Sequence, residues 1–223
     1  ENMSNISQVL TNPNRFFEEK MEEEVSLRAP FLIVLVQAII GGISGYLTFN
    51  AVMGSLPIPA DSGPMMAVIG VFSLVIGAVV IIAFWPVYAI VFHLISAAFK
   101  GDGGFKRTLE FTGYGFIPSI FSGIIGLLVM ISYVLPTLSR IQIPMDNPEL
   151  IEEYISQAML SNPAMQASAI LGIVFTLWSA NIWIFGIRHA RKLSVRDSFI
   201  TVAILTGALI TYSVYSTFFA MGA

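Results

Sequence analysis

Apolar residues collect along this chain into five runs, each close to or above the roughly 20 helical residues that cross the hydrocarbon core of a bilayer. The pattern predicts spanning helices over 30–53, 66–99, 111–135, 164–187 and 198–219. Pro30 suits the first turn of the first helix, and only Gln37 interrupts the apolar stretch from Phe31 to Ile40. Gly54 and the turn-rich stretch from Ser55 to Pro64 end it. The second run is too long for a core of about 30 Å at 1.5 Å per residue, so it is expected to tilt, protrude or kink at Pro86.

The polar connectors carry their own signals. Between the second and third runs, Gly101, Asp102, Gly103 and Gly104 read as a flexible turn. The longest connector, 140–163, contains Asn147 and Pro148 as an N-cap and first helical residue, with Ile151, Ile155 and Met159 at intervals of four. Glu149, Glu152, Glu153 and Gln157 fill the other positions, which predicts a short amphipathic helix lying on the bilayer or on the bundle. The expected fold class is therefore all-α: an N-terminal segment, 1–29, followed by a polytopic membrane domain, 30–223, built as a five-transmembrane-helix bundle.

Composition agrees and narrows the function. Of the residues, 56% are hydrophobic and 11% charged, against about 25% charged in soluble domains, so the chain cannot cover a water-facing surface. Cysteine is absent, which excludes a disulfide framework, a thiolate metal site and thiol nucleophiles. The stretch from Glu1 to Ser26 is polar and acidic, unlike a cleavable signal peptide, so the first apolar run is expected to act as an uncleaved anchor. A formal charge of −3 offers no global basic field, and nucleic acid is not expected as a partner.

The placement of cations sets an expected orientation. Ten of the 11 Lys and Arg residues fall in three alternating segments: Arg15, Lys20 and Arg28; Lys100, Lys106 and Arg107; Arg188, Arg191, Lys192 and Arg196. Only Arg140 falls on the other side. Because Lys and Arg accumulate in cytoplasmic loops, this predicts a multi-pass protein of the cell membrane with its N-terminus in the cytoplasm and its C-terminus outside.

Helices already in lipid gain little from apolar contact with one another, so close approach through small residues must hold them. Gly41 and Gly45, Ser73 and Gly77, Ser122 and Gly126, Ser168 and Gly172, and Ala203 and Gly207 each stand four apart, one pair per run. They are read as packing notches within one bundle; a homodimer seam is the alternative.

Few side chains within the runs carry chemistry. His93 is the one intramembrane histidine, read either as a relay or ligand contact with Glu110 or Tyr114, or as a neutral imidazole satisfied by a nearby hydroxyl or carbonyl. Gln37 and Asn181 read as interhelical hydrogen-bonding groups worth on the order of 1 kcal/mol each. No paired catalytic carboxylates, triad-like elbow or phosphate-cradling loop is found, and the methionines lack a repeated thioether spacing. Neither an enzyme, a cofactor nor a metal is expected.

Several segments resemble the Yip family, the Rab-GTPase-interacting membrane proteins of the secretory pathway and their prokaryotic relatives. Asn12, Pro13, Asn14, Arg15, Phe16 and Phe17 resemble the prokaryotic entry motif, in which an Asn-Pro turn precedes a short Phe-bearing helix. Phe105 and Lys106, then Gly113, Tyr114 and Pro118, are similar to the family's loop and its Gly-Tyr followed by Pro. Trp178, Gly186, Ala190, Leu193 and Ser194 resemble the close of the fourth span and the loop after it. For the eukaryotic branch the resemblance implies binding of prenylated small GTPases and a trafficking role. That branch enters its first span through Asp-Leu-Tyr-Gly-Pro, whereas this chain has Ser26, Leu27, Arg28, Ala29 and Pro30, a departure that argues against a GTPase partner.

The expectation is a non-enzymatic, membrane-organising protein that contacts lipid headgroups or a cytoplasmic protein through Lys106, Arg107, Tyr114, Pro118, Arg188, Arg191, Lys192 and Arg196. The competing expectation is a small transporter or channel with a polar site of His93, Glu110, Gln37 and Asn181.

Overall fold

The computed structural model describes residues 3–54, 62–138 and 163–218, and every regular element in them is helical. Two short helices, α1 (Met3–Thr11) and α2 (Pro13–Lys20), precede α3 (Arg28–Gly54) and α4 (Gly63–Ala98). A short α5 (Phe105–Tyr114) leads into α6 (Ile117–Val129), which continues through a π-helical turn (Met130–Val134) into α7 (Leu135–Leu138). The chain ends with α8 (Pro163–Arg191) and α9 (Val195–Phe218). The amphipathic helix expected around Asn147 to Met159 lies outside the described residues.

Five stretches are long and apolar enough to cross a membrane: α3, α4, the run Ile117–Thr137, α8 and the run Val195–Thr217. The third begins later than the hydropathy suggests. Phe111 to Tyr114 belong to α5, and the helix is interrupted at Gly115 and Phe116 before Pro118 restarts it in a first turn that tolerates a missing N–H. Along α4 the helix runs unbroken past Pro86, and its 36 residues exceed a core of about 30 Å.

The spanning helices close a ring: α3 packs on α4 and α6, α6 on α8, α8 on α9, and α9 on α4. Toward the end that carries α1, α2 and α5, an aromatic cluster fills the ring. Trp183 of α8 meets Tyr88, Phe92 and Phe116 at centroid distances of 5.3, 5.5 and 5.4 Å, joining α4, α8 and the start of α6.

Small residues make two of the ring's contacts. At the α3–α4 crossing a Cβ on Gly77 would lie 3.4 Å from the Cα of Gly42, and one on Gly45 3.5 Å from the Ser73 carbonyl. Where α6 meets α8, Gly126 faces Ser168 and Gly172 faces Ser122. Four of the five expected notches therefore lie inside one bundle. The fifth does not: a Cβ on Gly207 would meet nothing within 4 Å.

Candidate functional site

At one end of the ring the N-terminal arm folds back onto the spans. Asn12 caps α2, its Oδ1 accepting from the Arg15 N–H at 3.3 Å, with Pro13 in the first turn. This start aims Phe16 and Phe17 into the bundle, where both are buried. Phe17 lies 4.6 Å from the Phe111 ring and Phe16 5.0 Å from the Tyr114 ring, edge-on or tilted as aromatic quadrupoles favour. The arm fits because α8 lacks a side chain beneath it: a Cβ on Gly186 would press at 3.3–3.4 Å on Phe17 and Phe111. Arg188 donates to Asn14 Oδ1 at 2.7 Å, Trp178 to the Leu10 carbonyl at 3.3 Å, and Gln8 to Glu19 at 2.9 Å.

Helix α5 is the keystone between arm and ring. The indole N–H of Trp85 donates to the Leu109 carbonyl and that of Trp183 to the Thr112 carbonyl, each at 2.8 Å. A Cβ on Gly113 would strike Pro30, and one on Gly115 would overlap the Trp183 indole, so close approach demands glycine at both. Arg107 donates to Glu110 at 2.8 Å, to the Lys20 carbonyl at 3.2 Å and to the Glu23 carbonyl at 2.6 Å. Its guanidinium also lies 5.3 Å from the Phe111 ring centroid. The other Glu110 oxygen accepts from the Ser26 N–H at 3.3 Å. Burial holds the Glu110 carboxyl above the usual carboxylate range, against the opposing pull of Ser26, Arg107 and Lys20.

The segment 101–104, expected to be a flexible turn, is wrapped around Arg191. The buried guanidinium donates to Ser96 Oγ at 2.9 Å, to the Gly101 carbonyl at 2.6 Å and to the Gly103 carbonyl. The Asp102 N–H returns a bond to the Arg191 carbonyl at 2.9 Å. On Gly103 a Cβ would overlap the Ala190 carbonyl, so the glycine is required by contact. Helices α4 and α8 end alike, each on a lysine in the left-handed region, Lys100 at φ 59° and Lys192 at φ 53°. The N–H groups of Gly101 and Leu193 then bond back to the Ser96 and Arg188 carbonyls at 3.0 Å.

The residues singled out in the sequence therefore fall into distinct settings. Arg107, Tyr114, Pro118, Arg188 and Arg191 are built into the join between arm, α5 and ring. Lys106 and Arg196 are exposed, as is Lys192, which reaches Asp102 at 3.0 Å. His93 meets neither Glu110 nor Tyr114 through its ring nitrogen; Nδ1 lies 3.1 Å from Thr108 Oγ1, and the ring packs edge-on to Phe105. Gln37 faces Gly123 at the α3–α6 contact, and its buried Oε1 has no hydrogen-bond partner among the described residues. Asn181 is on an exposed face of α8 rather than between helices.

Of the cavities that adjoin this framework, two combine apolar and polar walls, and His93 lines neither. The first, about 370 Å³, lies beneath the arm: Val9, Phe16, Leu32, Ile33 and Tyr114 give it apolar walls, and Glu19, Lys20 and Glu23 a charged rim. Ala29, Leu32 and Ile33 belong to the first two turns of α3, so the cavity sits where that helix enters its apolar stretch. The second, about 280 Å³, lies within the ring, lined by residues of α4, α6, α8 and α9 together with Phe116. Sequence reasoning passed over both. Its traces were faint: a Phe-Phe pair after an Asn-Pro turn, and hydroxyls three apart at Ser119 and Ser122 and again at Thr176 and Ser179.

An uncharacterized protein of Methanocaldococcus jannaschii is 37% identical over 139 residues, covering 62% of this chain and 95% of that protein. No solved structure matches the chain. The family model described as the Yip1 domain matches residues 7–217, from the N-terminal arm through the fifth span. Among the residues that carry the resemblance in sequence, the Phe-Phe pair, Tyr114 and Gly186 lock arm to ring and Gly113 seats α5 on α3 and α4, and the chain is an integral membrane protein of the Yip1 domain family.

Proposed function

We propose that this protein is a non-enzymatic organiser of the cell membrane that binds lipid through its charged end. The observation that carries the reading is the cavity under the arm, whose apolar walls and charged rim match an acyl chain with its headgroup at the level where α3 meets the bilayer. Exposed Lys106, Lys192 and Arg196 at the same end add attraction for anionic headgroups, at about 1 kcal/mol per cation near the surface. In this reading the end faces the cytoplasm, because ten of 11 cations gather in three segments, each two crossings from the next and so on one side of the bilayer. A protein partner on the same cations is the second form of this reading; the arm, tied down through Phe16, Phe17 and Arg188, is the surface it would touch.

The test is lipid retention. Protein purified in nanodiscs of mixed phosphatidylcholine and phosphatidylglycerol is analysed for tightly held lipid by native mass spectrometry. Wild type is expected to retain tightly held lipid, and Ala29→Trp or Leu32→Trp, which fill the cavity, to lose most of it at unchanged folding. Equal retention by all three proteins rejects lipid binding at this site. Reporters fused to the two termini, read in intact cells, are expected to place the N-terminus inside and the C-terminus outside.

A further inference from the structure

The cavity within the ring is lined by hydroxyls and carries no charge. Tyr88, Ser119, Ser122, Thr176, Ser179 and Ser213 contribute them from four helices, with apolar residues between. No Asp, Glu, Lys, Arg or His is in its wall. Toward the charged end the cavity stops on an aromatic floor, where Tyr88, Phe116 and Trp183 stand 5.3 to 5.4 Å apart by ring centroid.

One hydroxyl marks the cavity as more than a packing gap. Many Ser and Thr of the spans settle their hydroxyls on their own helix: Ser44 on the Ile40 carbonyl, Thr48 on Ser44, Thr201 on Asp197, Thr206 on Val202 and, in the cavity wall itself, Thr176 on Gly172. Ser179 does not. Its side chain is 1% exposed, it lines the cavity, and its Oγ makes no hydrogen bond among the described residues. A buried hydroxyl is ordinarily paired, and one that is not, at the wall of a cavity, points to a partner that occupies the cavity.

We infer that this cavity binds a neutral, hydroxyl-bearing group of polyol type. Hydroxyls both donate and accept, so they match a ligand that does the same, whereas an ion would find no counter-charge in a wall of this kind. The volume, about 280 Å³, is at the lower bound for small-molecule sites, and the aromatic floor suits the C–H faces of a polyol carbon chain. Such a group has two sources: a free polyol, or the glycerol head of a neutral lipid. The inference is independent of lipid binding at the charged end, since the two cavities share no lining residue.

The experiment uses the full chain in phosphatidylcholine nanodiscs with two probes, tritiated glycerol in a scintillation proximity assay and a photoactivatable diacylglycerol incorporated in the disc. Saturable binding of either probe to wild type is expected, weakened about five-fold by Ser179→Ala through loss of one hydrogen bond. Ser179→Leu and Ser213→Leu, which fill the cavity from the neighbouring helices α8 and α9, are expected to abolish it, with thermal unfolding confirming that at least one remains folded. Glycerol binding alone identifies a free polyol as the occupant; diacylglycerol labelling that maps to 169–179 and 209–213 identifies a lipid head. Absence of saturable binding of both probes, or binding by the folded Leu variants equal to wild type, overturns the inference.

Discussion

The charged end of the ring and its far end are stabilised by different means. At the charged end Phe17, Phe92, Phe111, Ile182 and Ile187 are fully buried, and two indoles and two guanidiniums are fixed on backbone carbonyls. Toward the far end the described core shrinks to Met130 and Val134 with a few partly buried neighbours, while α4 turns Val68, Phe72, Val75 and Val79 outward. Only 6% of the most apolar window of α4 is buried, against 33% for α8, so the most hydrophobic window is also the least buried. In a bilayer, apolar sequence reports tolerance of lipid, and specific packing concentrates where polar backbone and side chains have to be satisfied.

That contrast is sharpest for a pair of phenylalanines. Phe17→Ala removes a fully buried ring between α5 and α8 and is expected to destabilise by about 3–5 kcal/mol and to release the arm. Phe72→Ala, on the outward face of α4, trades contact with lipid for contact with lipid and is expected to change stability by less than about 0.5 kcal/mol. Equilibrium unfolding in mixed micelles measures both, and limited proteolysis ahead of Ser26 reports the arm. Equal effects would abolish the distinction between the two ends.

Next in size is Arg191→Ala. It leaves the Gly101 and Gly103 carbonyls and Ser96 Oγ without their charged donor, and hydrogen bonds to charged groups are worth about 1.5–3 kcal/mol. A loss in that range is expected, together with faster backbone exchange at Asp102, whose N–H bonds to the Arg191 carbonyl. Arg196→Ala, at an exposed position in the first turn of α9, is the control and is expected to leave both readouts unchanged.

How far the sequence revealed this arrangement follows from the same division. The five spans were legible because hydropathy measures fitness for lipid, which those runs have throughout. The start of the third was misplaced because Phe111 and Tyr114 are as apolar as the span, and what ends α5 is the Trp183 indole against Gly115, a contact between distant residues. Arg191 was legible as a cation but not as an internal ligand of the glycine segment, since only the fold brings 101–103 under it. Asn181 was read as facing another helix because rotation about the helix axis is not encoded in an all-round apolar run. The Phe-Phe pair carried the most information, and its partners became visible only with the arm folded back.

Glu110 separates the ends by pH. Its carboxyl, fully buried beside Arg107, is held above its ordinary value, so its ionised form is less favourable in the folded than in the unfolded chain. The stability this group contributes is complete below its unfolded pKa and declines as pH rises through the folded one. Relative to wild type, Glu110→Gln is therefore expected to gain unfolding temperature as pH is raised through the weakly acidic range, whatever its constant offset from losing the Arg107 partner. A difference that stays flat or narrows with pH would show that Arg107, rather than burial, governs the carboxyl.

The smallest effect is expected at Gly207, the one small residue of the five pairs shown with open space over it. A Cβ there enters open space, so Gly207→Ala removes only backbone freedom within a helix and is expected to be neutral or stabilising by up to about 1 kcal/mol. The same change at Gly42, where a Cβ would lie 2.8 Å from the Leu74 carbonyl oxygen, pushes α3 and α4 apart and is expected to destabilise. Unfolding at two protein-to-detergent ratios makes the comparison decisive. A cost at Gly207 that grows as the protein is concentrated would mean that a second copy covers this face, and the fifth notch would then be a seam between chains.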